Sequence, residues 1–243
     1  MIILNVRLFL KAKLTYKIYL YYNLYLRHKG FLKRKGYSQW GEDKIIGEFF
    51  KNVNNGIYLD IGCFHPFMYS NTCLLFKKGW NGINIDINPT SIDLFNIARP
   101  QDVNLCTTIN YERKIYDVFY DDPLSPVNTI DEKFYKNLKK TFFKNERKMK
   151  VESTSIDEIL KISKINKNIN FINIDAEGKD YELLTQIKID KLNPNLIAIE
   201  THNIDESEIE TFPLIKKYME NNNYNVYQRV GPTTLFSKIT NFS

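Results

Sequence analysis

The chain has 243 residues, 43% of them hydrophobic and 26% charged, which suits one folded domain with an extension. This composition excludes a disordered tail, a collagen-like repeat and a multi-span membrane protein. Three cysteines without a CxxC pair give no disulfide framework or structural zinc site, so a cytoplasmic setting is expected.

The net charge of +6 is unevenly placed. Nine of the 34 cations precede the first acid, Glu42, which leaves 25 cations against 28 acids in the remainder. A basic arm (residues 1–37) therefore leads into a slightly acidic domain (residues 38–243).

Residues 2–26 are rich in Leu, Ile and Tyr, lack Pro and Gly, and read as a helix. At about 100° per residue, the early cations Arg7, Lys11, Lys13 and Lys17 share roughly half of the wheel. Such a helix suits either the interface of a membrane, as a peripheral contact, or packing on protein. Tyrosines among cations also allow base stacking. The charge-free stretch is too short to span a bilayer, and no small-residue cleavage site follows it. Residues 27–38 read as a linker.

Ser38 is placed to cap a helix over 38–50. A buried strand over 56–62 ends in Asp60-Ile61-Gly62, and a helix over 70–79 follows. A second strand over 80–89 ends at Asp86, a helix runs over 91–100, and a third strand over 103–109. Lys114–Asp122 has strand character, and 121–150 reads as a loop with a short helix. A helix over 153–163 precedes a buried strand over 169–175, then a helix from Lys179, a strand over 195–203 and a helix over 213–223. Two antiparallel strands close the chain. The alternation implies an α/β fold whose mostly parallel sheet carries helices on both faces and a C-terminal antiparallel hairpin.

In such sheets ligands lie beyond the carboxyl ends of the strands. Acids stand at four tips: Asp60, Asp86, the Asp175 and Glu177 pair, and Glu200 with His202 close by. Asp86 is placed to accept from both ribose hydroxyls of a nucleoside. The first loop carries one Gly and no GxGxxG, and the chain has no GxxxxGK[ST] loop, so the nucleoside is read as one without phosphates. S-adenosylmethionine fits that description.

The chain resembles the FkbM family of S-adenosylmethionine-dependent methyltransferases. The resemblance rests on SQWGED (38–43), YLDIGCFHP with SNT (58–66, 70–72), GWNGINIDINP (79–89), RPQDVNL (99–105), VESTSIDEIL (151–160), INFINIDAEGKDYELL (169–184) and LIAIETH (196–202). It implies a Rossmann-like class I methyltransferase fold and O-methylation of a hydroxyl on a sugar, glycan or related metabolite. By position, it implies cofactor contacts from Gln39, Glu42, Asp60, Gly62, Cys63, Phe64, Ser70, Asn71, Asp86 and Asn88. The chain departs from the family at Asp86, where Glu is usual, and at Cys63-Phe64, where Ala-Asn is frequent.

An alcohol needs help to lose its proton. Asp175, Glu177, Glu200 and His202 are the candidate catalytic groups, with His65 a further candidate base. Alternatively, Asp175, Glu177 and Glu200 hold Mg²⁺. The competing functions are N-methylation of a small molecule and a binding protein that kept the fold without chemistry. A nucleic-acid partner is not expected, because the domain beyond the arm is net negative.

Overall fold

The computed structural model describes residues 2–142, 147–165, 168–203 and 205–239. The arm forms helix α1 (Ile2–Tyr21), a π-helical stretch over Tyr22–Arg27 and a short helix α2 (Lys29–Leu32) inside the expected linker. The side chains of Arg7 and Lys11 lie outside the described residues. Helix α3 (Glu42–Phe49) starts where Ser38 Oγ accepts from Gly41 N at 3.0 Å and Asp43 N at 3.2 Å.

Then follow β1 (Ile57–Ile61), α4 (Cys73–Lys77), β2 (Asn81–Asp86), α5 (Pro89–Ala98), β3 (Val103–Cys106), β4 (Thr108–Ile109), β5 (Ile115–Tyr120), α6 (Glu132–Phe142), β6 (Arg147–Thr154) and α7 (Ile156–Ser163). The chain continues through β7 (Phe171–Ile174), α8 (Asp180–Gln186), α9 (Ile189–Leu192), β8 (Leu196–Glu200), α10 (Phe212–Asn221), β9 (Tyr224–Val230) and β10 (Thr233–Lys238).

Seven strands form one sheet in the order β3-β2-β1-β7-β8-β10-β9. It is parallel from β3 to β8, and β10 enters antiparallel beside both β8 and β9. Both faces are buried, which explains the unbroken apolar runs. In β8, Ile197 and Ile199 join one core cluster while Leu196 and Ala198 join the other. β1 splits the same way, with Leu59 and Ile61 opposite Tyr58. This is the Rossmann-like methyltransferase sheet with its C-terminal hairpin.

Strands β4, β6 and β5 make a separate three-stranded sheet. Strand β6 was not expected, since its sequence is mostly charged. Its inward residues alternate as Met149, Val151 and Ser153, a period of two disguised by a serine. The helix expected from residue 153 begins instead at Ile156, because Ser155 adopts extended backbone and its Oγ caps Glu158 N at 3.3 Å.

The arm packs on the domain. Leu20 and Leu24 are buried with Phe64, Met68, Leu94 and Leu124. Tyr16 donates from its hydroxyl to Asp93 Oδ2 at 2.7 Å. The His28 ring meets His65 edge-on at 5.4 Å and Phe31 meets Tyr69 at 5.6 Å.

Candidate functional site

A cleft of about 820 Å³, counted out to its open mouth, lies beyond the carboxyl ends of β1, β2, β3 and β7. Its floor is Ile61 with Gly62, Ile85 with Asp86, and Asp175 with Ala176. Gly62 has φ +76°, and a Cβ there would come within 1.6 Å of the Asp175 carbonyl oxygen. Glycine is thus required by the close approach of two protein strands, before any ligand is considered. The turn is fixed by Gly62 N donating to Ile85 O at 2.9 Å.

Asp86 accepts from Phe64 N at 2.8 Å through Oδ2 and from Asn88 N at 2.7 Å through Oδ1. Each carboxylate oxygen has a second lone pair, so the side chain is held in place with capacity left over. Burial, opposed by these bonds, pushes the group up to about 6. Phe64, at φ +49°, lines the cleft, and its ring stacks beside that of Tyr69.

The roof comes from residues 123–130, a stretch without sequence periodicity. Asn88 Nδ2 donates to Pro123 O at 2.9 Å, and Thr129 Oγ1 donates to Glu177 O at 2.9 Å. These two latches fasten the segment across the cleft and set Pro126, Asn128 and Ile130 over it. Asn128 donates to Ser125 O at 2.8 Å, but its buried Oδ1 has no hydrogen-bond partner. A buried acceptor left alone is costly unless a ligand donor meets it.

Around β7 the acids crowd. Asp175 faces the water of the cleft, yet protein surrounds it, and its pKa is pushed up to about 7 by burial and by Asp180, Asp60, Glu42 and Asp86. Burial, Asp175 and Asp180 push Glu177 upward, and burial with the same pair and Glu177 does so for Glu200. Asp180 accepts from Ala176 N at 3.0 Å and Gly178 N at 3.3 Å, pinning the turn that carries Glu177 at φ +49°.

Of the expected site residues, Gln39, Gly62, Phe64, Asp86, Asp175 and Glu177 line the cleft. The others stand outside its lining. Asp60 accepts from Thr72 Oγ1 at 2.6 Å and Asn173 Nδ2 at 2.9 Å, deep in the core. Asn71 donates to Asn173 Oδ1 at 2.9 Å, and Ser70 accepts from Arg99 Nη2 at 3.0 Å. Cys63 packs against Ile92 and Phe95. Asn88 caps α5 by accepting from Thr90 N, and Glu42 accepts from Trp40 N at 2.8 Å.

Two expected bases lie outside the cleft's lining. His202 is buried against Phe212 and bonded to Thr201 Oγ1 at 2.7 Å, with burial and Arg229 lowering its pKa. His65 is fully buried beneath the arm, its Nδ1 accepts from Phe67 N and Met68 N, and burial pushes its pKa down to about 3. For the Mg²⁺ option, no group of three or more His, Cys, Asp or Glu side chains among the described residues is placed to hold a metal ion.

The Methyltransferase FkbM domain family matches residues 53–226, more than half of the chain. The chain belongs to the FkbM methyltransferase family. The match begins after SQWGED, so the arm and that segment lie outside it. No curated protein matches the chain. Among solved structures, that of the 16S rRNA methylase ArmA is similar at 13% identity over 82% of each chain, with a TM-score of 0.36, too distant to carry an argument.

FkbM membership implies use of S-adenosylmethionine, and the residues here fit a nucleoside: a carboxylate at the β2 tip and an unpaired amide oxygen in the roof. Sequence reasoning missed Tyr69, Thr107, Thr108, Asn128 and Lys179. Thr107 and Thr108 were findable, since they stand just past the tip of β3 as Asp86 stands at the tip of β2. Asn128 carries no local signal.

Proposed function

We propose that the protein is an S-adenosylmethionine-dependent O-methyltransferase acting on a hydroxyl of a sugar, glycan or related small metabolite in the cytoplasm. The observation that carries this reading is the pairing, in one cleft, of a nucleoside-type end and a proton-accepting end. Asp86 offers its spare lone pairs to ribose hydroxyls. The unpaired Oδ1 of Asn128 suits the exocyclic amine of adenine. The slot between Asp86 and Gly62 positions the nucleoside and methionine portions along the strand tips.

S-adenosylmethionine, when bound, supplies an activated methyl group for in-line displacement. The chain's own residues must align the acceptor and take its proton. Asp175, with a pKa near neutrality, is ionised often enough at pH 7 to accept that proton. Burial, Asp175 and Asp180 raise Glu177 as well, and its side chain lines the same end of the cleft, within reach of an acceptor. Lys179, paired with Asp131 at 3.2 Å and Glu182 at 2.9 Å, closes the polar rim and leaves this cluster with one net negative charge. An uncharged polyhydroxylated acceptor suits this rim, and a polyanion does not.

The test is transfer of labelled methyl from S-adenosylmethionine to a panel of saccharides and hydroxylated metabolites. Label in an ether linkage supports the reading. Label only on nitrogen, or no transfer to any acceptor despite cofactor binding, overturns it.

A further inference from the structure

No helix among the described residues is long and apolar enough to cross a membrane. The arm nevertheless presents an apolar stripe that its own domain does not cover. Leu14, Ile18 and Tyr21 are 60%, 60% and 52% exposed, and Leu26 is exposed in the π-helical stretch beyond them. On a helical wheel, 14, 18 and 21 fall within about 60° of one another. Leu20 and Leu24 occupy another side and are buried against the domain. The helix therefore has two apolar faces, one satisfied and one free.

The arm that carries the free face bears charge of one sign. Lys13, Lys17, Arg27, Lys29, Lys33, Arg34 and Lys35 are all exposed, and no acid precedes Glu42. We propose that this face lies on an anionic lipid surface, with Leu14 and Ile18 inserted, tyrosines at headgroup depth and the lysines on the lipid charge. A second copy of the chain fits less well, because pairing two such arms brings cations against cations. Single-stranded nucleic acid would use the tyrosines but leave Leu14, Ile18 and Leu26 in water.

The arm's Phe31 touches Tyr69, which lines the cleft. The arm and the cleft thus share a contact, so lipid binding through the arm is coupled to the cleft's edge at Tyr69.

The experiment is co-sedimentation of the full-length protein with phosphatidylcholine vesicles and with vesicles containing roughly three-tenths phosphatidylglycerol. The protein is expected to pellet with the anionic vesicles alone and to be released by high salt. Leu14→Ser with Ile18→Ser spares the packed Leu20 and Leu24, so circular dichroism and thermal unfolding should stay unchanged while binding falls about tenfold or more. Lys17→Gln with Lys33→Gln should lower it about 25-fold, near fivefold per cation.

Failure of the native protein to pellet with anionic vesicles overturns the proposal, as does equal binding to neutral ones. Unchanged binding by folded variants overturns it too. So does a doubled mass by light scattering that Leu14→Ser with Ile18→Ser abolishes, or retention by single-stranded RNA without vesicle binding. Vesicle binding needs no turnover, so the outcome is independent of the acceptor chemistry proposed above.

Discussion

Asp60 and Asp175 stand at or just past the tips of adjacent parallel strands, β1 and β7, with Ile61 and Ile174 in register between them. Asp60 is 1% exposed, and its oxygens accept from Thr72 and Asn173. Through Thr72 it is tied to Arg99, which also donates to Ser70, Tyr58 and the Pro66 carbonyl. Asp175 opens to the cleft and is surrounded by other acids. The same residue type on adjacent strands thus serves opposite ends. A carboxylate whose lone pairs are taken by its own chain builds the fold, and one left among like charges keeps a proton affinity near neutrality that chemistry can use. Asp86 lies between the two, anchored by two backbone donors and still facing the cleft.

That contrast breaks first at Asp175. Asp175→Asn should lower turnover by about 10²–10⁴-fold while cofactor affinity stays within about threefold. In the native protein the rate should climb as pH rises through about 7, and the variant should lose that dependence. Stability should run the other way. The acids at β7 bind protons more tightly folded than unfolded, so the stability they contribute is full below about pH 4 and is lost as pH rises through about 7. Thermal unfolding across that range should fall less steeply in Asp175→Asn.

Arg99→Leu tests the other side. It strands Asp60 and Asp102 in the core and should cost about 3–5 kcal/mol in urea unfolding, with loss of the loop bearing Tyr69. A smaller effect is expected at Asn128→Ala, which should weaken cofactor binding by about 2–10-fold, measured by calorimetry, while the lost bond to Ser125 O and the removed unpaired oxygen partly offset each other in stability. Smallest of all, His202→Ala should leave turnover within about twofold, because the ring lies outside the cleft.

The sheet was legible because apolar runs such as 169–175 and 195–203 are bounded by acids and turns. The strand tips were legible for the same reason, which brought Asp86, Asp175 and Glu177 into view together. Chemistry at a tip was harder to read, because burial and partners decide it. Asp60 and Asn71 satisfy neighbours far away in sequence, Asn71 meeting Asn173 across 102 positions, while Glu42 turns back on the Trp40 amide. The roof was opaque because Asn128 is placed by latches at Asn88 and Glu177, neither of which marks its own segment. At the arm, the amphipathic pattern allowed either lipid or protein, and the structure shows protein on one face with the other left open.

The most direct measurement is calorimetric titration of S-adenosylmethionine into the native protein and into Asp86→Asn, with circular dichroism confirming that the variant is folded. Loss of a charge-assisted contact to the ribose should weaken binding by roughly 10–150-fold. Equal affinity in the two proteins would contradict the account, since the nucleoside would then not rest on the carboxylate at the tip of β2.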